Sequence, residues 1–326
     1  MPEPGIHALI VGISHYPHLR GGAEPNARID DLGLLQPDGA ATSAYRMVRW
    51  LKDNESDLPL PLASCRFLAS PSERERENIP EISEAGPCTI NDFVREASEW
   101  RARAMLSRNN ITIFNFVGIG AQRNSVDDVL LLSDFGSDIG PLMRASATVG
   151  NLFYGMATTV DTMASTQLYF IDAGRSVPNW GQAFFKGTTD IFDVAIGPAD
   201  SRTAVVFNSA RPGSSAWLAK GEGSLFSRDL LQGLDGRAGT LDMSGDASSR
   251  NWAVTVNSLA HWMTLAASRT AAEYGMPEPT GLHRQRRRAR YGDPSPARAS
   301  ARRRYLRAAE HSGRRIDRRY RRDAVA

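Results

Sequence analysis

Hydrophobic positions along the 326-residue chain fall into short continuous apolar runs separated by amphipathic stretches. Residues 7–13 form one such run, closed by turn-like residues, as a strand buried on both faces of a parallel sheet requires. After a loop rich in Gly, Pro and Asn, Asp38 opens a helix. On it Ala41, Ala44, Tyr45, Val48 and Leu51 recur at helical spacing and make one apolar stripe. A second strand is expected around residues 66–68, and residues 70–87, rich in Ser, Pro and Glu, read as an exposed loop. Thr89 caps a helix running to about Leu106, with Ile90, Phe93, Val94, Ala97, Trp100 and Ala104 on one side. Further strands follow at 111–117, 167–172 and 203–208, with a small hairpin around 129–134. Helices are expected at 148–156, 225–231 and 254–272. Strands alternating with helices predict an α/β fold, a mostly parallel central sheet covered by helices on both faces. In that architecture function concentrates at the carboxyl ends of the strands.

Charge divides the chain in two. Residues 283–326 hold 16 arginines, no lysine and four acidic residues, whereas residues 1–282 hold 23 basic against 32 acidic residues. The overall charge of +3 therefore hides an acidic body and a strongly basic tail. The tail lacks apolar periodicity and reads as disordered. It suits non-specific attraction to an anionic polymer, or else it is the frameshifted end of an arginine-biased gene. No run approaches the ~18 apolar residues of a membrane helix. The first residues, with Glu3 and two prolines, lack a basic start and an apolar core, so the expected compartment is the cytoplasm. The two cysteines, Cys65 and Cys88, match no zinc spacing and read as reduced thiols. Cys88 precedes a helix start, where thiol pKa values fall, and is the one candidate reactive thiol.

Five segments in one order resemble the p20-type domain of caspase-like and metacaspase peptidases. They are the opening strand with His15-Tyr16-Pro17 after it, the helix ending Met47-Val48-Arg49-Trp50-Leu51, and Phe116-Val117-Gly118-Ile119-Gly120-Ala121-Gln122. Phe170-Ile171-Asp172-Ala173-Gly174-Arg175 and Gly223-Ser224-Leu225-Phe226-Ser227-Arg228-Asp229 complete the set. The resemblance is closest over residues 6–235, within a domain spanning 6–272, and implies a caspase-haemoglobinase-like three-layer sandwich.

The resemblance also implies a chemistry that this sequence departs from. A cysteine peptidase pairs a thiolate with an imidazole, carried on the loops after two neighbouring strands. The family's Ser-Gly-His-Gly loop reads Val117-Gly118-Ile119-Gly120 here, and its Asp-Ala-Cys-Arg loop reads Asp172-Ala173-Gly174-Arg175. The imidazole position is Ile119 and the nucleophile position Gly174. In a serine protease, loss of one member of such a pair costs about 10⁶ in kcat. The expectation is a pseudopeptidase without cofactor or metal, acting as a binding or regulatory module. Its partner would be a peptide or protein in the vestigial cleft, or an active caspase-like relative. Two alternatives stand beside it: an endopeptidase whose catalytic groups are re-sited or supplied by a partner chain, and a decayed gene product. Re-siting points to Ser14 or Ser176; His7, His15 and His18 cluster at the first strand, and of these His15 or His18 is expected to reach the sheet's carboxyl edge. Asp172 matches the acidic residue that selects a basic side chain in metacaspases, with the bland reading that it caps its own loop. Arg175 is expected to pair with Asp172 or Asp134, which would neutralise the candidate pocket that these three residues form.

Overall fold

The computed structural model describes residues 3–124, 127–137, 140–157, 162–176, 187–194, 200–219, 223–241, 252–276 and 306–307. In chain order the main elements are β1 (Ile6–Ile13), α1 (Ala40–Asp53), β2 (Leu62–Ser70), α2 (Glu73–Asn78) and α3 (Ile90–Ala104). Next come β3 (Ile111–Gly118), β4 (Gly120–Asn124), β5 (Asp127–Leu131), β6 (Ser146–Thr148) and α4 (Val149–Gly155). The chain continues with β7 (Thr166–Ala173), β8 (Thr203–Asn208), α5 (Leu225–Gln232) and α6 (Val256–Glu273). The central sheet has the order β2-β1-β3-β7-β8, and each of its pairings is parallel. This is the α/β architecture that the alternating pattern predicts.

Alternation along the strands sorts the core into two layers. Ile6, Ala8 and Ile10 of β1, Ile111 and Ile113 of β3 and Leu168 and Phe170 of β7 pack against α1, α5 and α6. Leu9, Val11 and Ile13, with Phe114, Phe116, Tyr169 and Ile171, pack against α3, α4 and the β4–β6 sheet. Buried on both faces, β1 and β3 read as unbroken hydrophobic runs because neither side meets water. Trp100 anchors α3 to the sheet, its indole N–H donating to the His7 carbonyl at 3.0 Å.

The stretch 70–87 corrects the expectation of an exposed loop. Ser72 and Glu75 form a capping box that starts α2, followed by a 3-10 turn, Pro80–Glu84. Glu75 is buried, and its Oε1 accepts the Thr42 N–H at 2.8 Å, tying α2 to the start of α1. The expected hairpin at 129–134 is the middle of a three-stranded antiparallel sheet, β4-β5-β6. Of residues 283–326, only Leu306–Arg307 lies among the described residues, as a short strand antiparallel to Trp252–Val254. The expected disorder of the tail otherwise falls outside them. No helix among the described residues is long and apolar enough to cross a membrane.

Candidate functional site

The carboxyl rim of the sheet brings Ile119 and Gly174 together. β3 and β7 are adjacent, with Gly118 opposite Ala173, so each loop in question leaves its strand beside the other, about 4.8 Å away. A Cβ built on Gly120 would lie 2.8 Å from both the Ala173 Cβ and the Gly174 carbonyl oxygen. That close approach explains the glycine. Ile119 is half-buried and packs on the core below, while its N–H donates to the Tyr16 hydroxyl at 3.0 Å. The same hydroxyl donates to the Leu131 carbonyl at 3.1 Å, and the Leu131 N–H returns to the Ile119 carbonyl at 3.0 Å. Tyr16 therefore fixes this loop against β5.

The loop after β7 is covered by chain. The Arg175 N–H donates to the Ser214 carbonyl at 2.7 Å, and the Gly213 N–H donates to the Arg175 carbonyl at 2.8 Å. This exchange lays the segment after β8 across Gly174. A Cβ on Gly174 would sit 3.5 Å from the Ala216 nitrogen and 3.7 Å from the Ser215 Cα. The Gln122 N–H donates to the Ser176 carbonyl at 3.0 Å, joining the same loop to β4.

The three residues expected to form a pocket are not brought together. Asp172 is 2% exposed and faces α5. Its Oδ2 accepts the hydroxyls of Ser224, the N-cap of α5, and of Ser227, the latter at 2.6 Å. Burial raises its pKa, against the lowering effect of the Ser224, Ser227 and Ser209 hydrogen bonds. It clamps sheet to helix through hydroxyls, rather than capping its own loop through backbone N–H groups. Arg175 pairs with neither Asp172 nor Asp134. Its Nε lies 2.9 Å from Asp128 Oδ2 on β5, with both side chains buried. Asp134 accepts the Ile90 N–H at 2.9 Å and serves the start of α3, where burial raises its pKa. Sequence reading missed Asp128 because nothing local distinguishes it from Asp127. Ser224 and Ser227 carried a signal, an N-cap spacing, but not its partner.

Of the re-siting candidates, Ser14, His7 and His18 have other hydrogen-bond partners. Ser14 is buried and its Oγ accepts the Ala41 N–H at 2.8 Å. His7 lies at the amino end of β1, away from the rim, with Nδ1 2.8 Å from Ser64 Oγ. Burial lowers its pKa, helped by Arg103. His15 follows β1 at the rim, but β3 separates β1 from β7, so its strand stands roughly 10 Å from that of Gly174. His18 Nδ1 meets the Glu24 carbonyl at 3.2 Å. Among the described residues no histidine shares a hydrogen bond with Ser14 or Ser176. Cys88 corrects its expectation as a reactive thiol. It is 2% exposed, and burial, with Asp134 and Asp92 nearby, pushes its pKa well up. Burial likewise pushes Cys65 up to about 11. Among the described residues no group of His, Cys, Asp and Glu is placed to hold a metal ion.

No family model matches the sequence, and no curated protein matches it. Among solved structures the chain is similar to a caspase-1 from Spodoptera frugiperda, at 15% identity and a TM-score of 0.45, over 86% of this chain and 84% of that one. It is also similar to protein GSU0716 from Geobacter sulfurreducens, at 11% identity and a TM-score of 0.49, over 86% of this chain and 92% of that one.

Proposed function

We propose that this chain is a caspase-like domain without peptidase activity, working as a binding or regulatory module. One observation carries the reading: the two neighbouring strand ends where a thiolate and an imidazole would have to face each other present Ile119 and Gly174. A branched hydrocarbon exchanges no proton, and a residue without a side chain attacks no carbonyl. Supporting it, Ser14, His7 and His18 are each held in separate hydrogen bonds, and the segment around Ser214 lies against Gly174. The burial of Asp172 counts against a basic side chain of a peptide reaching it, so a partner is better sought on the outer surface of the domain.

The test offers the purified full chain fluorogenic peptides with Arg, Lys or Asp before the cleavable bond, with and without calcium. No turnover above a buffer blank is expected. Turnover abolished by thiol alkylation, or by Ser14→Ala or Ser176→Ala, would overturn the reading in favour of a re-sited enzyme.

A further inference from the structure

On the sheet face opposite α3, α5 and α6 enclose an open cavity of about 290 Å³, apart from the strand rim. Arg228, Arg237 and Arg269 line it, beside Trp262, Asp229 and Glu273. Three different local structures deliver the three arginines. Arg228, on α5, is held in one pose: Nη2 donates to Thr270 Oγ1 at 2.8 Å, Nη1 to the Tyr274 hydroxyl at 3.3 Å and Nε to Asp229 Oδ1 at 3.1 Å. Arg237 lies in the turn that ends α5, where the chain reverses at Gly236 with φ of 100° and the Ala238 N–H closes back on the Gly233 carbonyl at 3.2 Å. Arg269, on α6, stacks over the Trp262 ring at 4.7 Å. Trp262 is seated in turn by its N–H on the Asp229 carbonyl at 2.8 Å and by Gly233, where a Cβ would come 2.5 Å from the ring.

The acids cancel only part of this charge at the cavity, Asp229 offsetting Arg228. Asp229 is buried and its carboxylate is spent on Arg228 and on the Thr270 hydroxyl, at 2.8 Å. Glu273 stands at the rim, 64% exposed and 3.9 Å from Arg228. Arg237 and Arg269 are exposed and have no ion-pair partner among the described residues. Arginines lining one concave site match compact oxyanions, to which guanidinium groups donate bidentate charge-assisted hydrogen bonds. The volume sits at the lower end of small-ligand pockets. We propose that this cavity binds the dianionic phosphate of a small phosphate monoester, with the exposed Arg237 and Arg269 as the donors, beside the ion-paired Arg228. A dianion with three acceptor oxygens draws on both exposed guanidinium groups and outweighs the single rim carboxylate, which a monoanionic carboxylate does less well.

Calorimetric titration of the full chain with phenyl phosphate, inorganic phosphate, benzoate and benzylamine tests this. One saturable site for phenyl phosphate is expected, weakening as salt rises. The basic tail is identical in every variant, so differences between variants report the cavity. Arg237→Ala with Arg269→Ala should weaken phenyl phosphate about tenfold or more, the loss expected for hydrogen bonds to a charged group. Glu273→Gln should tighten it several-fold. Both sites are exposed, and circular dichroism checks the fold of each variant. Binding unchanged in the double arginine variant would overturn the proposal, as would benzoate binding as tightly as phenyl phosphate. Benzylamine binding that Glu273→Gln abolishes would show instead a cation site.

Discussion

A side chain at position 174 would meet ordinary van der Waals surroundings. The built Cβ has no neighbour closer than 3.5 Å, and Gly174 is not among the glycines with positive φ. Nothing in the local geometry therefore requires a glycine there, whereas Gly120, two strand ends away in contact but not in sequence, is pressed against Ala173 and Gly174. Gly174→Ala should leave stability unchanged or raise it by up to about 1 kcal/mol, through the unfolded chain's lost freedom. Gly120→Ala should cost about 1–3 kcal/mol by overpacking. Urea unfolding of the two variants checks both. Asp172 gives a pH signature. Its folded pKa is raised, so the folded state holds the proton more tightly than the unfolded chain does. Its contribution is favourable below the unfolded aspartate value, near ~4, and is lost as pH rises through the folded value. Asp172→Asn should therefore gain on the wild type as pH rises from about 4 towards neutrality. Melting temperatures of the pair that stay parallel across that range would contradict it.

Between elements, the rim is joined by a buried ion pair and a buried tyrosine. Arg175 and Asp128 connect the loop after β7 to β5, and the Tyr16 hydroxyl connects the loop before β4 to β5. A buried pair broken on one side leaves an uncompensated charge, so Asp128→Ala should cost about 3–5 kcal/mol. Adding Arg175→Met removes the orphaned guanidinium and should restore most of that loss, which a double-mutant cycle by chemical denaturation measures. Additive losses would show that the pair is not coupled. At this scale the strands and helices were legible because apolar residues recur with period 3.6 or run unbroken. Where the signal was short it failed. The capping box at Ser72 was in plain sight, yet α2 is six residues long and its buried face reduces to Glu75, too little for a periodicity to register.

For the whole molecule, the acidic body and the arginine-rich end invite separate tests. Removal of residues 283–326 takes away 16 arginines and few apolar side chains. It should leave the thermal midpoint nearly unchanged and abolish salt-sensitive retention on a polyanion column. A large fall in the midpoint would make the tail part of the fold, in line with the pairing of Leu306–Arg307 with Trp252–Val254.

By itself the sequence determined the alternation of strands and helices, the buried parallel sheet, the division of charge and the identities at positions 119 and 174, because each follows from residue type and local spacing. Only the tertiary structure decided that Arg175 meets Asp128, that Asp172 is sealed beneath α5, that Cys88 is shielded, and that chain from beyond β8 crosses the loop at Gly174. Those contacts join residues far apart in the chain, and in the case of the cavity they gather arginines from two helices and a turn. Ion pairing and desolvation depend on distance in space and on exclusion of water, and neither is written in the order of residues along the backbone.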